Sequence, residues 1–567
     1  MRRIIPLALS FALLLSVTAL GAGGLTAEQR QEDLDYLYST LRDNHPNLFA
    51  NTPESVFLSK KAEIESRLSE TDDVTFLLDL MSLAALAGDS HTMLSFDTSL
   101  CHIYPVGLSR FGEEWVAAVL PEAYSAYLGT RVAAVNGLTM TEVTEKLAPL
   151  LASDNAVRLR RQVEQAFGIA ELFAYAGITE EGGPLLLTLA GEDGASHEIS
   201  LTALPAANRS AWPELSQLTP NASAPTAAQN RYYFSLPVGD AYYIQYNTCM
   251  EDPELPMEEF VEQVAADLAA GDYGKVLIDL RNNGGGSDGV LVPLLLYLAP
   301  MVRTGAIELW GLIGEATFSS AVINAMEIRE MGGFLAGEPS GGSVDHFGAV
   351  NTFTLPHSGL RGQYSTRYIS LADYLSCAVG LGVTPIQPDL TVSQTLTDYL
   401  SGRDTAVEAV AAMEEPFTPA AAPGRPLSRG EFTALLRQSV GAEADAGVIE
   451  TPFGDLFPFN AYVPDVAWAA ELGVVNGVAE GVFDPARTIT LAEAAVMVER
   501  YLSAAGVTLP VLREDAAPPA APWAAEAVEA AWSQGLLPEG MAAQTPLCRA
   551  DGEQLLERLA EALTANP

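Results

Sequence analysis

The chain has 567 residues, of which 49% are hydrophobic and 18% charged; this excludes a small disulfide-stapled scaffold and a charge-rich disordered chain. At about 150 residues per domain, that length predicts three or four folded units. With 72 acidic and 30 basic side chains the formal net charge is −42, which disfavours binding to nucleic acid or to an anionic membrane surface.

Residues 1–22 read as a secretory signal: Arg2 and Arg3, an apolar run from Ile4 to Leu20, then small residues. The run is short for a bilayer span and no later stretch is long and apolar enough, so no membrane span is expected to be retained. Residues 26–103 form a helical lobe, opening on a T-x-x-Q capping box (Thr26, Gln29) with Leu34, Leu37, Tyr38 and Leu41 on one helix face. Residues 104–204 read as a small β-rich module, with a strand and turn over 131–138 and another strand over 185–189. Proline recurs through 205–230, a linker composition. Over 231–410, strands at 241–246, 276–280 and 307–313 alternate with helices at 258–270, 287–298 and 320–331, which predicts an α/β layer. A Pro/Ala linker, 411–426, separates it from an Ala-rich helical end.

That end carries a repeat. Leu427-Ser428-Arg429-Gly430-Glu431 recurs as Ile489-Thr490-Leu491-Ala492-Glu493 and as Leu547-Cys548-Arg549-Ala550-Asp551, each heading an apolar helix. The second and third copies follow an aromatic-led helix, over 466–477 and 521–537. The repeats therefore run 427–452 (partial), 453–511 and 512–567.

Candidate chemistry lies in the α/β part. The strand over 276–280 runs into Arg281-Asn282-Asn283-Gly284-Gly285-Gly286, with Ser287 placed to cap the next helix. Bare glycine N–H groups at a helix start suit an oxyanion or a phosphate. Gly284, Gly286 and Gly289 also spell G-x-G-x-x-G, a weak match to a dinucleotide site in an exported chain. After the next strand, Ser319 and Ser320 sit at a strand-to-helix turn, where a nucleophile is held exposed; a simple N-cap is the competing reading for Ser319. The four lysines (Lys60, Lys61, Lys146, Lys275) all precede these serines, so a downstream lysine base is impossible. His91, in Gly88-Asp89-Ser90-His91-Thr92, and His346, in Asp345-His346-Phe347-Gly348, are the candidate bases. Cys101, Cys249, Cys377 and Cys548 are widely spaced, with no C-x-x-C pair for zinc or redox work.

Together "GDSHT" (88–92), "VLIDLRNNGGG" (276–286), "ATFSSA" (316–321), "GEPSGG" (337–342), "LPHSGL" (355–360) and "PDL" (388–390) resemble the tail-specific, or C-terminal processing, serine peptidases, which include the tricorn core protease. The resemblance covers about residues 27–410. It implies a crotonase-like core of β-β-α units, a helical N-terminal lobe, and a degenerate PDZ-like role for 104–204. It maps the nucleophile to Ser319, with Ser320 as alternative, and the oxyanion donors to Gly284 and Gly285. Family members with a Ser–Lys dyad carry the lysine after "GEP", where this chain has none. The implied mechanism is therefore the Ser–His pair of the tricorn-like branch, with His91 as base, His346 as rival, and the orienting acid open, Asp389 being one candidate. The C-terminal repeats resemble S-layer homology domains, whose signature includes I-T-R-A-E. That resemblance implies binding of an anionic cell-wall polysaccharide through Arg429 and Arg549.

The function expected is an exported, wall-tethered serine endopeptidase acting on peptides or unfolded proteins without metal or other cofactor. The alternative is a non-catalytic ligand-binding or wall-adhesion protein on the same fold.

Overall fold

The computed structural model describes residues 24–565 apart from 96–100, 192–194, 209–211, 219–229, 418–423, 444 and 448–449. The signal expected at 1–22 lies outside the described residues, as do parts of the linkers 205–230 and 411–426. Among the described residues no helix is long and apolar enough to cross a membrane.

Strands that are apolar on both sides need cover on both faces. Ala241–Tyr246, Lys275–Asp279, Glu308–Ile313, Phe334–Gly337 and Leu390–Thr391 pair in parallel in that order, and Tyr233–Val238 joins antiparallel at one edge. Helices Met257–Ala270, Val292–Arg303 and Ser320–Glu330 link successive strands and share a core with Tyr242, Ile244, Val276, Ile278 and Leu309. The alternate side chains Tyr243, Leu277, Trp310 and Leu312 enter a second core with Val407 and Val410 of helix Thr405–Ala411. The period-2 alternation of a strand sorts the two sets.

The expected strands and the helices at 258–270 and 320–331 form within a residue or two of their predicted ends. The helix expected from Ser287 does not. Asp288–Leu291 is a 3-10 turn, Ser287 makes no side-chain cap bond, and the α-helix starts at Val292 with Pro293 in its first turn, a position where proline's missing N–H costs nothing.

Helices Ala27–Asn44, Glu54–Glu65 and Asp73–Ala85 build the N-terminal lobe, and the Thr26–Gln29 capping box forms. Strand Met93–Leu94 then pairs with Arg361–Ile369, itself hairpinned to His346–Thr354. Residues distant in the chain thus share one sheet beside the core. The motif "LPHSGL" is the turn of this hairpin, and Asp33 of the first helix accepts the N–H groups of His357 and Ser358 at 2.9 and 2.8 Å.

The unit at 104–204 has a five-stranded antiparallel sheet in chain order: Gly107–Phe111, Glu114–Val119, Arg131–Val135, Leu185–Ala190, Ser196–Leu201. The turn after the third strand holds Asn136 and Gly137 at φ 47° and 80°, as a tight two-residue hairpin turn requires. The β-rich expectation is incomplete, because helices Met140–Leu147, Ala156–Ala166 and Ala170–Tyr175 follow. Val143, Leu147, Val157 and Val163 are buried at helical spacing.

Helices Arg429–Ser439, Leu491–Ala505 and Arg549–Ala565, each headed by one repeat string, meet at their N-terminal ends in a closed ring. Leu427 N–H donates to Leu547 O, Ile489 N–H to Leu427 O, and Leu547 N–H to Ile489 O, at 2.9 to 3.0 Å. This unit abuts the α/β core: Phe459 is buried in the core's main cluster, Asn460 Nδ2 donates to Glu330 Oε1 at 2.7 Å, and Ser376 Oγ donates to Pro485 O at 3.1 Å.

Candidate active site

The glycine turn is held by charge and by Asn283. Asp279 accepts from Arg281 and from the Tyr243 hydroxyl at 2.6 Å, and Arg281 also pairs with Asp404 at 2.7 Å. Asn283 Nδ2 donates to Tyr246 O at 2.9 Å, and its main-chain O accepts from Phe318 N–H at 3.0 Å. The turn and the serine loop are therefore one assembly. Gly285 and Gly286 take φ of 105° and 140°. A Cβ on Gly286 would lie 2.2 Å from Cys249 O, and one on Gly285 would lie 2.7 Å from Ser319 Cβ, so no side chain fits at either position.

Ser319 stands at the head of helix Ser320–Glu330 with φ 54° and ψ −128°, a strained conformation for a residue with a side chain. It occupies the N-cap position but makes no side-chain cap bond, so capping does not explain it. Ser320 is different: it is buried, and its hydroxyl donates to Gly286 O at 2.9 Å. Of the two serines, the one with an uncommitted hydroxyl is Ser319.

The two expected oxyanion glycines also differ. Gly285 N–H donates to Asn283 Oδ1 at 2.9 Å and is thereby engaged. The Gly284 and Ser320 N–H groups donate to no group among the described residues, and the latter lies at the positive end of the helix.

The N-terminal lobe delivers His91. Its ring stacks on Phe318, with centroids 4.4 Å apart, and on His346 at 5.4 Å. Both candidate bases thus stand in one column beside the Ser319 loop. Neither His91 nitrogen has a side-chain hydrogen-bond partner, the main chain of Phe347 being the one group that favours its protonated form by hydrogen bonding, so the expected direct contact with the Ser319 hydroxyl is not made. Catalytic hydrogen bonds commonly tighten only when substrate binds. Burial pushes His91 down to about 3, and the charges of His346 and Arg158 act in the same direction, against the Asp89 carboxylate. The ring is neutral at pH 7.

His346 directs Nδ1–H at Ser343 O, 2.9 Å away, leaving Nε2 buried and unpartnered. Asp89 lies 3.9 Å from His91 Nδ1. Burial alone would raise Asp89, but hydrogen bonds from His45, Ser365 and Thr92 and the nearness of His91 hold it below the ordinary carboxylate range. Asp389 is committed elsewhere: it binds Arg329 and the Leu335 N–H beside the edge strand Leu390–Thr391. Among the described residues no group of three or more His, Cys, Asp or Glu side chains is arranged to hold a metal ion.

Sequence reasoning missed several participants. Asp89 was within reach, being part of "GDSHT". Phe318, Asp154 and Arg158 carried no signal. Asp154 accepts from Ser90 Oγ at 2.6 Å, and Arg158 sets its guanidinium 3.9 Å from the Phe318 ring centroid, on a helix that follows the sheet module's third strand.

In the C-terminal ring, Arg429 is buried. Its Nε donates to Phe483 O at 3.1 Å and its guanidinium lies 3.6 Å from Glu493, so it does not line an open groove as expected. Arg549 is 39% exposed in its side chain, beside Glu553 at 2.7 Å. The repeat geometry meets its counterpart in a family match. Residues 452–495 match the S-layer homology domain. That stretch includes the Asp455, Phe483 and Glu493 side chains around Arg429.

Solved structures similar to this chain include mature CPAF, at 13% identity and TM-score 0.47, covering 66% of this chain and 94% of that one. The photosystem II D1 C-terminal processing protease matches at 12% identity and TM-score 0.33, over 64% of this chain and 93% of that one. The tricorn protease matches at 15% and 0.31, over 68% and 36%. Comparison with curated proteins finds no match.

Proposed function

We propose that the chain is a cell-surface serine peptidase in which Ser319 attacks a peptide carbonyl. The observation that carries this reading is a strained serine with an uncommitted hydroxyl, one residue from a phenylalanine stacked on a neutral imidazole without a side-chain partner. In this mechanism His91 takes the hydroxyl proton and the nearby Asp89 carboxylate stabilises the imidazolium. The N–H groups of Gly284 and Ser320 receive the oxyanion. Collapse of the intermediate breaks the C–N bond, His91 returns the proton to the leaving amine, and water then releases the acyl group. The core is read as crotonase-like, and 104–204 as a degenerate PDZ-like module.

The absence of a Ser319–His91 hydrogen bond favours a second reading, a non-catalytic binding protein. A fluorophosphonate probe separates the two. The wild type and Ser320→Ala are expected to be labelled and Ser319→Ala not; no labelling of the wild type supports the binding reading.

The S-layer homology match supports attachment to the cell wall or surface, with an anionic wall polysaccharide as the ligand. Arg549 is the arginine with an accessible charge, and Arg429 supports the ring from inside. The full chain should pellet with purified wall, and Arg549→Ala should lower the pelleted fraction several-fold. A full chain that stays in the supernatant removes the tethering half of the proposal.

A further inference from the structure

A buried cation without a counter-ion is costly, because its lost hydration is not replaced. Three arginines are buried to 8% exposure or less among the described residues: Arg30, Arg158 and Arg429. Arg30 pairs with Asp73 at 2.8 Å and Arg429 with Glu493 at 3.6 Å. Arg158 has no carboxylate within ion-pair distance, and its Nε is buried with no partner. Burial lowers it to about 10, so it is still a cation at neutral pH. The nearest acid named by its electrostatics, Asp154, is occupied by Ser90 and by Asn155 Nδ2 at 3.1 Å.

Its position is fixed relative to the nucleophile. Asn155, the N-cap of its helix, donates Nδ2 to Gly341 O at 3.0 Å and to Ser343 Oγ at 2.9 Å. Gly342 N–H in turn donates to Thr317 O, two residues before Ser319, at 2.9 Å. The guanidinium then lies on Phe318, whose ring also stacks on His91, which stacks on His346. Arg158, which has no ion pair, falls in one column with His91 and with His346 Nε2, neither of which has a side-chain partner. A ligand that brings an anion to one end and a reacting group to the imidazole would satisfy them together.

We propose that Arg158 is the specificity-determining anion subsite of this site and binds a carboxylate of the peptide substrate close to the scissile bond. The proposal rests on the peptidase reading above for the identity of the ligand as a peptide. The carboxylate comes from the substrate's C-terminus or from an Asp or Glu side chain; a guanidinium serves either by paired hydrogen bonds. Its arrival also removes part of the positive field that disfavours a proton on His91, so a correctly charged substrate strengthens its own base.

The test measures binding to full-length Ser319→Ala protein by titration calorimetry. The probes are acetyl-tetraalanine as free acid and as C-terminal amide, and acetyl-Ala-Ala-Asp-Ala amide with its Asn counterpart. One acid should bind at least about tenfold more tightly than its neutral partner, as for a charge-assisted contact, and the pair that shows the gap identifies the carboxylate's source. Adding Arg158→Met should bring that ratio close to one, while Arg158→Lys should keep part of it. Equal affinities within both pairs, no binding of any probe, or a gap that survives Arg158→Met overturns the proposal. If Arg158→Met does not fold, the acid and amide affinities of Ser319→Ala decide alone. The nucleophile is absent from this experiment, so a failure of the peptidase reading registers separately, as absent phosphonate labelling of the wild type.

Discussion

Two arginines in this molecule are buried almost equally, each lies on a phenylalanine, and they serve opposite ends. Arg429, on Phe483, donates to a main-chain oxygen and faces Glu493. Arg158, on Phe318, has neither. The helix ring gives its buried arginine both a main-chain acceptor and a carboxylate, as a structural joint does. The column beside Ser319 gives its arginine neither, and a buried guanidinium without an ion pair is costly unless a ligand completes it.

Stability measurements can break this contrast or sharpen it. The largest effect is expected from Arg429→Met, which removes a counter-charge from Glu493 and strands Phe483 O; it should cost about 3 kcal/mol in denaturant unfolding. A cost near zero would mean that the ring does not depend on its arginine. Next in size is Glu327, a buried acid on the helix that Ser319 heads, which accepts from Asn324 Nδ2 at 2.8 Å. Burial raises it to about 8. The folded chain therefore keeps a proton that the unfolded chain releases near the ordinary glutamate value, and stability falls as pH rises from about 4.5 to about 8. Glu327→Gln should lie closest to the wild type at pH 4 and exceed it by a margin that widens steadily up to about pH 8; parallel pH profiles would refute this. The smallest change is expected from Arg158→Met, within about 1 kcal/mol of the wild type or slightly stabilising, because no internal ion pair is lost. A loss as large as that of Arg429→Met would show that Arg158 is structural.

Local chemistry was legible where a short string carries its own reason. The buried strands, the serine at a strand-to-helix turn, the glycine turn and the three repeat headings could all be read from spacing and residue type, because each is an interaction among neighbours in sequence. The choice between Ser319 and Ser320 was not legible, since it depends on Gly286 O engaging one hydroxyl. The engagement of Gly285 N–H by Asn283, two residues away, is a local contact that only the backbone path of the turn decides.

From its sequence alone this protein is a multi-unit acidic chain with an α/β core, a candidate nucleophile loop and a helical repeat array, because periodicity, turn residues and composition act over a few residues. Which histidines, which arginine and which N–H groups stand together depended on tertiary structure. Residues 91, 158, 319 and 346 converge only when the N-terminal lobe, the inserted helix, the nucleophile loop and the hairpin pack, and long-range burial decides which polar atoms are left without partners.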